Sequence, residues 1–405
     1  MRVVQVGKFY YPYMGGIESH LQVLSNELKH RVDLEVLVAH RERRTRRDVV
    51  DGVRVTRCGS WGHYNSIDVT PRMALELSRL DYDVVHVHLP HPVGAASYLC
   101  SKKPHRHRLI VTYHSDVVRQ RFLNQFYQPV VAELLARADV VIATSPNLKD
   151  LSRTLAPFRE KCRVVPYGLD LDVFSANAER EAIAARLRAR FAGRRVALGV
   201  GRLIYYKGFE QAIHALESLP DVQLVLIGDG PLRGELEALA RARGVAERVS
   251  FEGELMNEAI APYYLASDVY LLPSIAPSEA FGIVQIEAMA CGVPVINTDL
   301  PSGVPFVSRH EESGLTVPPR DPQALARAVR RLLDDEPLRR RLGAAARERA
   351  RAEFSKETLI RRILAAYRGE GEEADAVGTA GTAGSTGLGG AASAGRAVAG
   401  LETLG

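Results

Sequence analysis

The stretch Pro166-Tyr167-Gly168-Leu169-Asp170 interrupts one repeating pattern, and the pattern restarts after it. Proline and glycine this close together stop any helix or strand that reaches them. Upstream, short apolar runs at residues 3–6, 34–38, 84–87, 109–112, 140–143 and 162–165 alternate with amphipathic stretches such as 17–28 and 122–136. Apolar runs without polar alternation describe strands buried on both faces. Regular β-α alternation then requires parallel pairing and right-handed crossovers. Downstream, the runs resume at 196–200, 223–227, 249–251, 269–272 and 293–297. The expected fold class is α/β: two Rossmann-like, doubly wound domains, 1–168 and 169–350, whose strand ends face each other across a cleft.

The rest of the chain fits around that division. Residues 351–368 read as an Arg-rich helix, and 369–405 as a Gly/Ala-rich tail with too little apolar surface to order itself. Of 405 residues, 46% are hydrophobic and 25% charged, which excludes collagen, coiled coil and wholesale disorder. No uncharged apolar run approaches the roughly 18 residues of a membrane span. The start enters a strand pattern directly, so a cytoplasmic protein is expected. Four cysteines without a C-x-x-C pair indicate neither a disulfide framework nor a cysteine zinc site. The net charge of +5 is uneven: residues 1–168 carry 25 basic and 16 acidic side chains, a net +9. An anionic acceptor or an anionic membrane surface would suit that half, and so would solvated helix faces. The densest piece, Arg41, Arg43, Arg44, Arg46 and Arg47, is expected on a loop. No aromatic residues interleave with it, which disfavours nucleic acid.

On this architecture chemistry belongs in the loops after strands. Gly15-Gly16 follows the first strand and an aromatic loop, then opens a helix near Ile17. Free N–H groups at the positive end of a helix dipole bind anions, although a plain turn uses the same residues. Strand 196–200 runs into Gly201-Arg202-Leu203-Ile204-Tyr205-Tyr206-Lys207-Gly208. Arg202 as a planar fork and Lys207 as a point charge can converge on one diphosphate, or stand as solvated loop cations. Removing either is expected to leave folding intact. Gly228 and Gly230, in Ile227-Gly228-Asp229-Gly230-Pro231, make a tight turn beside a ligand or simply a turn.

The most specific stretch is Ser278-Glu279-Ala280-Phe281-Gly282-Ile283-Val284-Gln285-Ile286-Glu287. A helix starting near Phe281-Gly282 would place Glu279 at the cleft mouth and Glu287 one and a half turns down, with first-turn amides free. Carboxylates for sugar and ribose hydroxyls, plus N–H groups for a diphosphate, are what a nucleotide sugar needs.

These motifs, together with Tyr113-His114-Ser115-Asp116 and Pro166 to Asp170, resemble glycosyltransferase family 4 in order and spacing over about residues 1–367. That family consists of retaining enzymes of the GT-B fold. The resemblance implies that Arg202 and Lys207 hold the donor diphosphate. Glu279 would bond the transferred sugar, helped by amides near Phe281, Gly282 and Ile283, and Glu287 would bind the ribose. Gly16 would contact the phosphate or acceptor side, Gly228 and Gly230 would border the donor, and His114 would face the sugar from the first domain. The final helix would cross back to that domain.

Departure of the leaving group builds negative charge on the diphosphate and positive charge on the anomeric carbon, so fixed cations stabilise it electrostatically. No metal or other cofactor is then expected, although Asp170-Leu171-Asp172, Asp81-Tyr82-Asp83 and His86, His88 and His91 raise the question. Lacking an acidic partner, these histidines are expected to pack in the core or the cleft; His105 and His107 flank Arg106 in a surface loop. The donor is expected to be a GDP- or UDP-sugar. Phe281-Gly282-Ile283 and residues 298–305 are similar to polysaccharide-assembly members that use GDP-mannose. Mannose transfer to a lipid-linked or other glycan acceptor is the leading expectation. A nucleotide-sugar epimerase and a catalytically silent nucleotide-binding protein are the alternatives.

Overall fold

The computed structural model describes residues 1–13, 15–64, 67–103, 106–116, 121–191, 193–255 and 257–371. His105, Met256 and the tail from residue 372 lie outside them. The first domain contains β1 (Arg2–Gly7), β2 (Asp33–His40), β3 (Arg46–Val50), β4 (Val53–Gly59), β5 (His63–Tyr64), β6 (Ile67–Asp68), β7 (Val84–Leu89), β8 (Arg108–Tyr113), β9 (Val140–Ala143) and β10 (Cys162–Val164). Eight of these form one sheet in the order β10-β9-β8-β7-β1-β2-β4-β3, and β5 pairs with β6 as a separate hairpin. From β1 the chain builds outward on one side, then returns to lay down β7 to β10 on the other. The switch point therefore falls between β1 and β7, where open sheets bind ligands.

The second sheet repeats the logic with β11 (Arg195–Val200), β12 (Val222–Ile227), β13 (Val249–Gly253), β14 (Val269–Leu272), β15 (Val295–Thr298) and β16 (Gly314–Val317). Its order, β13-β12-β11-β14-β15-β16, puts the switch point between β11 and β14. Each sheet is sandwiched between two apolar layers, one built on Leu224, Leu271 and Leu332 and its opposite on Leu198, Tyr270 and Ile286 in the second domain.

Three expectations change. The arginine run is not all loop, because Arg46 and Arg47 open β3, an edge strand paired antiparallel to β4 through the Asp51-Gly52 turn. Asp-Gly suits the positive φ that such hairpin turns require, and an exposed, charged edge resists pairing with other chains. β15 starts at Val295 rather than 293. The crossing helix is Lys356–Arg368 rather than 351–368, since helix Glu336–Phe354 stays in the second domain and buries Ala346, Ala350 and Phe354 there. Ser355 separates the two and caps the second, its Oγ accepting from the Thr358 N–H at 3.3 Å.

The crossing helix buries Leu359, Ile360, Ile363, Leu364 and Tyr367 against Leu21, Leu24 and Leu28 of the first domain. Each fully buried Leu or Ile contributes roughly 1.5–3 kcal/mol, so the helix is an integral layer of a domain it does not adjoin in sequence. Where the chain passes between domains, Leu169 and Phe354–Lys356 are tied by two backbone hydrogen bonds of 2.9 Å.

Candidate active site

Both charged loops leave the second sheet at its switch point. Lys207 ends a single 3-10 turn after β11 and is buried, with its Nζ 2.7 Å from Oε2 of Glu279, which follows β14. The Ser274 hydroxyl donates to the same carboxylate at 3.2 Å. Arg202 is exposed, and among the described residues its guanidinium has neither a hydrogen bond nor an ion pair. The two cations are thus unlike: Lys207 is half of a buried pair, and Arg202 stands free at the rim. Gly228 and Gly230 let the loop after β12 lie on the loop after β11. A Cβ at Gly228 would stand 2.2 Å from the Gly201 carbonyl oxygen, and one at Gly230 would stand 2.5 Å from that of Leu203.

Gly282 has φ +74, which breaks the backbone before the helix, and the helix therefore begins at Val284 rather than near Phe281. Among the described residues no acceptor is found for the N–H groups of Gly282 and Ile283. Glu287 consequently sits in the first helical turn, not one and a half turns down. It accepts a 2.7 Å bond from the Tyr264 hydroxyl. Burial pushes its carboxyl up from 4.5 to about 7, against the pull of Tyr264 and Lys207.

That shift has a sign. With the folded value above the unfolded one, the native state holds this proton more tightly. The resulting stability is complete below about 4.5 and is lost as pH rises through about 7. Glu287→Gln is expected to flatten this part of the Tm profile between pH 5 and 8. Parallel profiles for parent and variant would show an ordinary carboxyl at this position. If Glu287 holds ribose hydroxyls as a carboxylate, donor affinity should rise over the same interval in the parent and stay level in the variant.

In the first domain, His114 follows β8 and is 1% exposed, with both ring nitrogens engaged: Nε2 lies 3.0 Å from His88 Nδ1, and Nδ1 lies 2.7 Å from the Tyr167 hydroxyl. Tyr167 meets Phe281 edge-on across the domain boundary at 4.8 Å between ring centroids. Gly16 opens helix Gly16–Leu28, and a Cβ there would lie 3.9 Å from Ile283 Cδ1 of the other domain. His20, His88 and His114 offer nitrogens within 4.8 Å of one another, the one histidine group among the described residues with metal-ligand spacing. Burial lowers His20 to about 4 and His86 to about 3, and with neighbouring imidazoles it holds His88 and His114 well below 6.5. His91 instead sits buried at the start of helix Pro92–Cys100, without a side-chain bond to its first turn. Asp170 pairs with Lys356, and Asp81 and Asp83 pair with Arg2.

Sequence reasoning singled out the charged residues but missed Ser274, Tyr264, His20 and any role for Tyr167. A signal existed for His20: with Leu21, Leu24 and Leu28 it shares the i, i+1, i+4, i+8 stripe that buries one helix face. Tyr264 carries no comparable signal, because its hydroxyl meets Glu287 only through tertiary packing.

Two facing α/β domains, with cations and carboxylates converging at a switch point, define the class of GT-B glycosyltransferases. The chain belongs to glycosyltransferase family 4: residues 14–173 match the model described as Glycosyltransferase Family 4, and residues 185–349 match Glycosyl transferases group 1. It is 32% identical over 371 residues to the O-antigen chain mannosyltransferase C of Escherichia coli, covering 89% of this chain and 96% of that one. It is 36% identical over 275 residues to the D-rhamnosyltransferase WbpZ of Pseudomonas aeruginosa, covering 67% and 70%. Anabaena HepE, solved in complex with UDP, shares the fold with a TM-score of 0.75 at 22% identity, covering 91% of this chain and 100% of that one. The protein is a glycosyltransferase.

Proposed function

We propose that this glycosyltransferase acts with retention, moving mannose from a nucleotide-diphosphate sugar, GDP-mannose first among the donors, to a lipid-linked glycan during polysaccharide assembly. The observation that carries the reading is the set at the β11/β14 switch point: Arg202, the Lys207–Glu279 pair and the open amides of Gly282 and Ile283. The cations meet charge that grows on the departing diphosphate, and the carboxylate meets a sugar hydroxyl. The Escherichia coli mannosyltransferase relative supports the choice of sugar. On this reading Glu287 holds the ribose and His114 faces the sugar.

The test incubates the protein with GDP-mannose, UDP-glucose and a bacterial lipid extract, and reads the anomeric configuration of the product by NMR. Inversion, or no transfer from any GDP- or UDP-sugar, would overturn the reading. Charge stabilisation by Arg202 and Lys207 requires no ion, so turnover should survive chelation by EDTA. Glu279→Gln should reduce kcat more than donor affinity, because it exchanges a charged acceptor for a neutral amide of similar shape.

The acceptor reading rests on the first domain. An open hollow of about 400 Å³ is lined by Arg41, Arg43, Ser60, Trp61, Gly62 and Asp68. Trp61 is 66% exposed, and Val49 and Val69 are exposed too. Arg41 lies over the rings of Phe9 and Tyr13, and Arg47 is paired with Glu76. Arg43 and Arg44 remain, among the described residues, without an ion pair. An amphipathic ring beside free cations suits an anionic lipid surface, where each basic side chain contributes about 1 kcal/mol. The protein should pellet with anionic but not neutral vesicles at low salt. Combining Arg43→Ser, Arg44→Ser and Trp61→Ala should release it. Failure of the parent to pellet would favour a soluble acceptor.

A further inference from the structure

Beneath the first domain's switch point runs a continuous chain of buried polar groups. Gln5 on β1 stands between the two halves: its Nε2 donates to the Tyr367 hydroxyl at 2.6 Å, and its Oε1 lies 2.6 Å from His88 Nε2. From His88 the chain passes to His114 and on to Tyr167 at the domain boundary. On the other side, Tyr367 lies 2.8 Å from His86 Nδ1, and His86 Nε2 lies 2.6 Å from the Thr112 hydroxyl. Every member is 5% exposed or less. Tyr367 belongs to the helix that crosses back from the end of the described chain.

The chain has one consistent assignment of protons once Gln5 is oriented as above. Gln5 Oε1 can only accept, so His88 Nε2 carries a hydrogen. A neutral His88 then has a bare Nδ1, which must accept from His114 Nε2–H. The remaining nitrogen of His114, Nδ1, is bare and accepts from the Tyr167 hydroxyl. Tyr367, accepting from Gln5, donates to His86 Nδ1, and His86 Nε2–H donates to Thr112. One amide orientation thus sets three imidazole tautomers, and rotating the amide would reverse the direction of the His88–His114–Tyr167 arm.

We propose that Tyr367, Gln5 and His88 are positioning residues for the transfer reaction, holding His114 neutral and in its Nε2–H tautomer through this chain. The proposal rests on the reading that His114 faces the sugar. Positive charge develops on the anomeric carbon as the donor bond breaks, so an imidazolium at that face would oppose it while a neutral ring does not. The rings packed on it bring no negative charge: His20 comes from the first helix, His88 from β7, and Tyr167 stacks on the cleft side, with His86 behind His88 and Phe281 beyond Tyr167. Of the acids on this side, Glu18 acts on Tyr167, and Asp116, two residues along from His114, accepts from the hydroxyls of Tyr113 and Ser152. The helix that completes the first domain's core thereby also sets the proton pattern at the cleft.

Nitrogen-15 NMR of the histidine side chains in the full protein tests the assignment without any substitution. His114 and His88 should show protonated Nε2 and bare Nδ1 across pH 6 to 8. A protonated Nδ1 on His114, or titration within that range, would overturn the proposal. Tyr367→Phe keeps the ring and removes the hydroxyl; it should lower kcat on the order of tenfold with donor KM little changed, and shift the His88 and His114 nitrogen signals. Unchanged kcat and unchanged signals would sink the chain's role. A uniform loss of activity in proportion to lost folded protein would show only structural support, and would sink it equally. His114→Ala separates the two layers: if it stays active, the reading of His114 at the sugar is wrong. If it is inactive while Tyr367→Phe is normal, only the positioning proposal fails.

Discussion

Lys207→Ala is expected to lower kcat/KM on the order of 100-fold or more and to destabilise the fold as well. The activity loss follows from removing a fixed cation that the departing diphosphate would meet, a contribution that grows as the bond breaks. The stability loss follows from the pair itself. Glu279 is 8% exposed and its carboxylate lies 2.7 Å from the ammonium, so losing Lys207 leaves a buried charge held, among the described residues, by the Ser274 hydroxyl. Breaking buried pairs typically costs about 3–5 kcal/mol. The sequence suggested that folding would be untouched; burial of the pair is what changes that expectation. Combining Lys207→Met with Glu279→Gln should recover much of the melting temperature and none of the activity. Steady-state kinetics with calorimetry on the single and double variants separates the effects. A single variant with normal turnover would remove Lys207 from the donor site.

Arg202→Ala should cost a similar factor in kcat/KM, on the order of 100-fold, with melting temperature unchanged. Its guanidinium is exposed and, among the described residues, unpaired, so nothing in the folded chain depends on it. Arg202→Lys should recover only part of the rate, because a point charge cannot reproduce the two parallel N–H groups that match a phosphate. Full activity in Arg202→Lys would mean that charge alone matters there, and full activity in Arg202→Ala would place the diphosphate elsewhere.

The doubly wound architecture was legible because parallel strands are buried on both faces and leave unbroken apolar runs such as Val84 and Val85 or Leu224 to Ile227. β3 was not, because an edge strand written Arg46-Arg47-Asp48 carries the composition of a loop. The site divides in the same way. Charged residues next to glycines after strands could be picked out at Arg202, Lys207 and Glu279. Their relations could not: the ion pair joins residues 72 positions apart, from 207 to 279, and depends on β11 lying beside β14. The helix start was misplaced by the same limit, since Gly282 reads as a permissive helix residue until its φ of +74 is known.

The crossing helix has a consequence for how the protein is made. Leu21, Leu24 and Leu28 emerge from the ribosome early, yet Leu359, Ile360 and Ile363, which cover them, are synthesised more than 300 residues later. At roughly 5–20 residues per second, that interval lasts some tens of seconds. Throughout it the amino-terminal domain has an apolar stripe with no lid, while the core of the second domain is drawn almost wholly from the contiguous stretch between Leu169 and Phe354. The nascent chain should therefore depend on a chaperone for the first of these two domains rather than the second, and a message that stalls before the codon for Lys356 should release a polypeptide in which the first of the two is the one that aggregates.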